Sequence, residues 1–417
     1  MQLAKGVCDI EPSEKILKNK VVDRLRKTFE LYGFSPLETP LIERYETLAS
    51  KFAAGEDSDA LRETFTLQDQ GKRRLGLRFD LTVPLARFMA MNPTIKMPFK
   101  RFEMGPVFRD GPIRAGRVRQ FWQCDADIIG NSSMLADAEC LAVVAEGFIK
   151  LDIPVTIKVN NRKLLSGILT QCNVNKKQDA IIAIDKLDKI GKTGVQKELR
   201  ERKFTKKQID AIFTFVSSRA TISSLKKKLT DEEALEGIKE LEEVFSYLKQ
   251  MNVKVDFDVA LARGLAYYTG TVFEAFANKS KVTSSLSAGG RWDDMIGKFI
   301  GDKIVPAVGL SFGIVPIMEV LKEKTKLLEK TKTQVYVLPI KTENECLGIV
   351  QQLRKAGINS DISDKSISKG LDYADALGIP YVLIVGKREL AKKKVTLKNM
   401  KTGKEELLTV NQVIKKL

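Results

Sequence analysis

Apolar positions recur at two periods along this chain of 417 residues, and the changes of period outline its elements. From Ser13 to Tyr32 the residues Ile16, Leu17, Val21, Val22, Leu25, Phe29 and Leu31 fall at helical spacing, which predicts one long amphipathic helix ended by Gly33. The strand predicted over Phe34–Ile42 contains Pro36 and Pro40, which cannot donate to a ladder, so it is expected at a sheet edge. Glu63–Gln68 and Leu75–Asp80 read as strands paired about the turn DQGKRR. The pattern centres on Pro98 to Gly130. There RFEMGPVFR and RQFWQCDADIIG read as two strands, joined by DGPIRAG, whose Gly and Pro residues suit a loop.

Beyond this hairpin the helical period returns over Ser133–Leu151, and a strand follows over Val155–Asn160. Arg162 to about Leu248 is rich in Lys and Glu and patterned as helices. It has no convergent polar set and reads as a helical insertion, either gripping nucleic acid or forming a solvated bundle. A strand over Val253–Val259 leads to the segment Leu261–Glu274. Ser287–Asp293 reads as a Gly-rich turn that lets backbone approach a ligand. Pro316 sits at the start of a helix, 322–332 reads as a helix end and linker, and 334–417 alternates strand and helix as a small α/β domain. The expected division is 1–161, 162–248, 249–325, a linker at 326–333, and 334–417.

Chemistry enters through the central hairpin. Gln123, Asp125 and Asp127 share one face of the second strand, Arg109 closes the first, and Arg117 and Arg119 open the second. Fork-shaped cations beside acceptors on one concave sheet suit a polyphosphate next to a small polar ligand. A solvated hairpin with surface arginines is the bland alternative, and Phe121, Trp122 and the apolar Ile128-Ile129 end argue against it by marking a central strand. Asp80 and Thr82, two apart on a predicted strand, can hold an ammonium group. Alternatively Thr82 caps the next helix, with Pro84 as its first residue.

Composition narrows the reaction classes. The chain has no histidine, which removes any His-based general base, triad or His-ligated metal. Its five cysteines form no CxxC pair, so neither a zinc site nor a disulfide framework is expected. Lys and Arg outnumber Asp and Glu by 70 to 53, a net +17 that fits either a nucleic-acid partner or a lysine-rich proteome. No apolar run is long enough to span a bilayer and no signal-peptide core is present, so a cytoplasmic protein without membrane attachment is expected.

Pro106-Val-Phe-Arg109, followed by Arg117-x-Arg119-x-Phe121-x-Gln123 and Asp127, resembles motif 2 of class II aminoacyl-tRNA synthetases in the form found in histidyl-tRNA synthetase. The resemblance continues along the chain. The Ser13–Ile42 helix and strand resemble motif 1, and Leu77–Pro84 resembles the LR-aromatic-DLTVP element of the archaeal and eukaryotic enzymes. Arg263-Gly264-Leu265-Ala266-Tyr267-Tyr268-Thr269-Gly270 through Glu274 resembles the histidine signature peptide. Ala288–Asp293 resembles AGGRYD, Pro306–Leu321 resembles motif 3, and 334–417 resembles the anticodon-binding domain.

This resemblance implies an α+β fold with the class II antiparallel-sheet catalytic core, a helical insertion and a C-terminal α/β domain. It implies ligation of L-histidine to its tRNA through a histidyl-adenylate, with ATP and Mg2+, by a homodimer. Arg109 and Arg263 would be catalytic. Asp80, Leu81, Thr82, Arg109, Gln123, Asp127, Arg263, Tyr267 and Tyr268 would bind histidine, and Arg109, Arg117, Phe121 and Arg263 would bind ATP, with no protein metal ligand. Three departures stand out: Ala266 for an Asp, Trp292 for a Tyr that lines the histidine pocket, and Pro316 for the motif 3 arginine. They favour the alternative of a non-catalytic paralogue, either a regulatory subunit of histidine biosynthesis or a sensor of uncharged tRNA.

Overall fold

The computed structural model describes residues 1–50, 62–113, 118–216, 220–262, 267–301, 303–324 and 328–417. These residues form two compact units, Met1–Cys8 with Val21–Lys324, and Asp9–Lys20 with Thr325–Leu417.

The first unit is built on an eight-stranded sheet. Its strands are β1 (Ser35–Pro36), β5 (Phe99–Phe108), β6 (Gln120–Ile129), β7 (Val155–Asn161), β8 (Asp256–Phe257), β9 (Thr271–Ala277), β10 (Ser287–Arg291) and β11 (Ala307–Gly313). They lie in the order β1-β5-β6-β11-β10-β9-β7-β8, antiparallel except at the two edge pairs. A smaller sheet joins β2 (Ile42–Arg44), β4 (Arg74–Leu77) and β3 (Thr66–Gln68).

One face of the large sheet is apolar. Phe102, Cys124, Ala126, Ile128, Leu310, Phe312 and Phe273 alternate inward along their strands and are buried. Val21–Leu31 of helix Pro12–Leu31 and helix Met134–Leu151 cover them, with the ring centres of Phe29 and Phe148 6.0 and 5.2 Å from that of Phe312. Gly147 makes that contact possible, since a Cβ there would lie 2.7 Å from Phe312 Cζ. Arg291 is buried beneath the same helix in an ion pair with Asp137, and it donates to Asn131 O at 3.1 Å. The arginine of the AGGRYD-like segment therefore ties helix to sheet.

Several expectations are corrected. The strand predicted over 34–42 is only β1 and β2, in different sheets, because its prolines interrupt the ladder and the Thr39 N–H donates to Glu103 instead, at 2.9 Å. The strand predicted over 253–259 shrinks to β8. The Asn160 amide takes Val259 O and Leu261 O, at 3.0 and 2.8 Å, in place of a ladder. Ser287–Asp293 is no turn; its glycines lie in the central strand β10. A Cβ at Gly289 would meet Gly309 O at 2.2 Å, and one at Gly290 would meet the Tyr268 ring at 2.9 Å, so packing by itself requires glycine at these two positions.

The second unit holds β13 (Ser360–Ile362), β12 (Val335–Ile340), β14 (Tyr381–Gly386), β15 (Val395–Asn399) and β16 (Glu405–Leu408), hydrogen-bonded in that order. Val335 and Val337 face a core with helix Glu343–Lys355, while Tyr336 and Leu338 face one with helix Ile367–Leu377. The predicted alternation of strand and helix is thus observed.

Candidate active site

The other face of the large sheet is polar, and strand register lays its side chains out in rows. Arg101 on β5 stands opposite Asp127 on β6, which stands opposite Gly309 on β11 and then Gly290 on β10. The next row is Glu103, Asp125, Ser311 and Ala288, and the third is Gly105, Gln123 and Gly313. Directly opposed residues share a face, so charged groups gather there between small ones. A Cβ at Gly309 would lie 1.9 Å from Asp127 Oδ1, and one at Gly105 would lie 2.3 Å from Arg78 Nη2. Only glycine leaves room for those groups.

The charges are deeply buried and paired. Arg101 is fully buried, with Nη2 2.8 Å from Asp127 Oδ2 and donating to Leu81 O at 3.1 Å. Arg78 Nη1 meets Glu103 Oε1 at 2.6 Å and donates to Thr39 O at 2.8 Å. Burial pushes the Asp127 carboxyl up to about 6, against the pull of Arg101 and with Asp80 and Glu103 adding to the rise; the Trp292 side chain hydrogen-bonds it. Burial likewise pushes Asp125 up to about 8, again against Arg101 and with Asp127 adding to the rise. Ser311 Oγ accepts from Gln123 Nε2 at 2.9 Å and also hydrogen-bonds Asp125.

Arg109 lies just past the end of β5. Its Nε donates to Phe79 O at 3.1 Å, and its guanidinium carbon lies 5.1 Å from the Phe121 ring centre, a cation–π distance. Arg119 has another task. It pairs with Asp110 at 2.8 Å, while Arg109 N–H donates to Arg119 O and Arg119 N–H donates to Gly6 O, so it closes the hairpin. Tyr267 and Tyr268 pack with ring centres 4.4 Å apart and planes tilted by 38°, and the Tyr267 hydroxyl donates to that of Tyr268 at 3.3 Å. Arg117 and Arg263 lie outside the described residues.

Asp80 and Thr82 do not share a strand. Helix Thr82–Met91 begins at Thr82, and Asp80 Oδ1 accepts from the Val83 N–H at 3.0 Å, so the acid acts as the cap and Pro84 is the third helical residue. Asp80 is buried and Thr82 half-buried at that helix start. Trp292, which stands where the resemblance puts a pocket-lining Tyr, is buried in an apolar cluster with Phe79, Leu85 and Ile129 while its side chain hydrogen-bonds Asp127. Arg78, Arg101 and Ser311 were missed by the sequence reading. A signal existed, since Arg101 and Glu103 are charged alternate positions in a strand that is otherwise central and apolar.

Among the described residues no group of three His, Cys, Asp or Glu side chains is placed to hold a metal ion. No helix among them is long and apolar enough to cross a membrane.

Comparison with known proteins gives a consistent result. The family model described as Histidyl-tRNA synthetase matches residues 6–317, and one described as Anticodon binding domain matches 334–417. Histidine–tRNA ligase 1 of Bacillus cereus is 43% identical over 97% of this chain and 94% of its own length. The crystal structure of histidyl-tRNA synthetase from Nostoc sp. PCC 7120 is 31% identical with a TM-score of 0.87, covering 100% of this chain and 99% of that one. A Bacillus halodurans structure titled ATP phosphoribosyltransferase regulatory subunit/histidyl-tRNA synthetase has a TM-score of 0.76 at 19% identity, over 93% of this chain and 98% of that one, a likeness of fold alone.

Proposed function

The chain belongs to the histidyl-tRNA synthetase family and is an enzyme that charges tRNA with histidine, and on that premise we propose that it works through a histidyl-adenylate made on the polar face of the large sheet. A carboxylate oxygen of L-histidine attacks the α-phosphorus of ATP, the bond to the bridging oxygen breaks, and pyrophosphate leaves. Arg109 and Arg263 neutralise charge on the α-phosphoryl oxygens as it develops. No side chain has to move a proton in this step, so a chain without histidine can perform it. A ribose hydroxyl at the tRNA 3′ end then attacks the activated carbonyl and AMP departs.

Asp80, at its helix start, takes the substrate ammonium with Thr82 and the Leu81 backbone. Gln123, Asp127, Tyr267 and Tyr268 take the imidazole, and Phe121 stacks on adenine with Arg109 and Arg117 on the phosphates. Magnesium enters with the triphosphate as part of the substrate. Residues 334–417 bind the anticodon arm, supported by 14 lysines and 2 arginines against 9 acids in 331–417. The enzyme acts as a cytoplasmic homodimer, which sedimentation at working concentration would test.

The observation that carries this reading is the placement of Arg109 over Phe121 at the rim of a face whose interior holds Gln123, Asp125 and Asp127. The test is exchange of labelled pyrophosphate into ATP. Exchange that requires L-histidine and proceeds without tRNA supports an adenylate. Transfer of histidine to tRNA with no such exchange refutes it.

A further inference from the structure

Six ionisable side chains, each less than a tenth exposed, meet on the polar face: Arg78 and Arg101 against Asp80, Glu103, Asp125 and Asp127. Two guanidinium groups cannot balance four carboxylates where water is excluded. Arg78 answers Glu103 and Arg101 answers Asp127. Under the synthetase reading, on which this inference rests, the substrate ammonium approaches Asp80, and Asp125 belongs to no ion pair among the described residues. Its Oδ1 is buried with no hydrogen-bond partner among the described residues, as are Gln123 Oε1, Asp127 Oδ2 and Arg101 Nε and Nη1 on the same face. A buried carboxyl placed among like charges takes up a proton.

We infer that Asp125 is a specificity-determining residue that reads the imidazole as a neutral acid, donating to the unprotonated ring nitrogen while Asp127 accepts from the ring N–H. Residues two apart on a strand stand about 6.8 Å apart on one face, a span that suits a five-membered ring with a hydrogen bond at each nitrogen. One donor and one acceptor complement neutral imidazole, whose two nitrogens differ in the same way. An imidazolium would leave one pairing unmade, and an apolar ring would leave both. Around Asp125 stand Arg101 and Glu103 from β5, Gln123 and Asp127 from β6, Ser311 from β11 and Asp80 from the segment before helix Thr82–Met91. Burial among them holds its proton up to about pH 8.

Calorimetric titration of the full chain with L-histidine, from pH 6 to 9, tests the assignment. At pH 7 Asp125→Ala weakens binding about tenfold or more, and Asp125→Asn weakens it less because the amide keeps a donor. Wild-type affinity falls above pH 8 as Asp125 ionises, and this limb is absent from Asp125→Asn. The substrate amino group titrates alike in both proteins, so the difference isolates residue 125. Ser311→Ala removes a hydrogen bond that favours the ionised form, and it moves the limb to higher pH. ATP affinity on the same samples reports an intact site. Unchanged affinity in Asp125→Ala, a limb that survives Asp125→Asn, or a limb unmoved by Ser311→Ala each overturns the assignment alone. A wild-type protein that binds no histidine overturns it together with the synthetase reading.

Discussion

The two faces of the eight-stranded sheet are made by alternate residues of the same strands, yet they are filled by opposite chemistry. Along β6, Cys124, Ala126 and Ile128 turn toward Phe29 and Phe148, while Gln123, Asp125 and Asp127 turn toward Arg101 and Arg78. Both sets are largely buried. The apolar face is held by area removed from water, which tolerates adjustment. The polar face is held by matching of charges and hydrogen bonds at fixed positions, where one missing partner leaves a buried charge. The same backbone thus supports a forgiving side that stabilises and an exacting side to which the proposed function assigns binding.

Substitutions on the two faces should therefore fail differently. Gly309→Val gives the largest effect, because a Cβ 1.9 Å from Asp127 Oδ1 has no space to occupy; histidine-dependent exchange should fall by about a thousandfold or more. Phe312→Ala opens the apolar face and should lower unfolding free energy by about 3–5 kcal/mol in urea, while the KM for histidine in the protein still folded stays near wild type. Arg109→Ala should lower exchange by about 10²–10³-fold with little change in melting temperature.

Asp125→Asn separates the faces by pH. The folded carboxyl is raised above its unfolded value, so the native state holds the extra proton between about pH 4 and pH 8 and wild-type stability declines as pH rises through that window. The Asn variant should show a flatter urea-midpoint profile there. At the small end, Gly348 in helix Glu343–Lys355 has nothing within 4 Å of an added Cβ, and Gly348→Ala should raise stability by about 0.5–1 kcal/mol.

Much of this contrast was legible in the chain. The hairpin predicted at 101–109 and 119–130 is observed as Phe99–Phe108 and Gln120–Ile129, because an alternating run of that length leaves one register in which the apolar set is buried. Short edge segments were not legible. The Pro36 and Val253 regions read as strands by composition, but side chains of Glu103 and Asn160 take the backbone groups a ladder would have used. The Asp80–Thr82 pair was misplaced by a residue's worth of geometry, since a capping carboxylate ends the strand reading and starts a helix. Arg101 was hidden because its partner Asp127 belongs to another strand and only register reveals the pairing.

The central claim is that the polar face binds histidine and ATP together, and a crystal structure with L-histidine and a non-hydrolysable ATP analogue tests it most directly. The account predicts an imidazole lodged between residues 123–127 and the paired tyrosines, with the α-phosphate against Arg109. Ligands ordered elsewhere, or a polar face filled only by water while both ligands bind in solution, would contradict it.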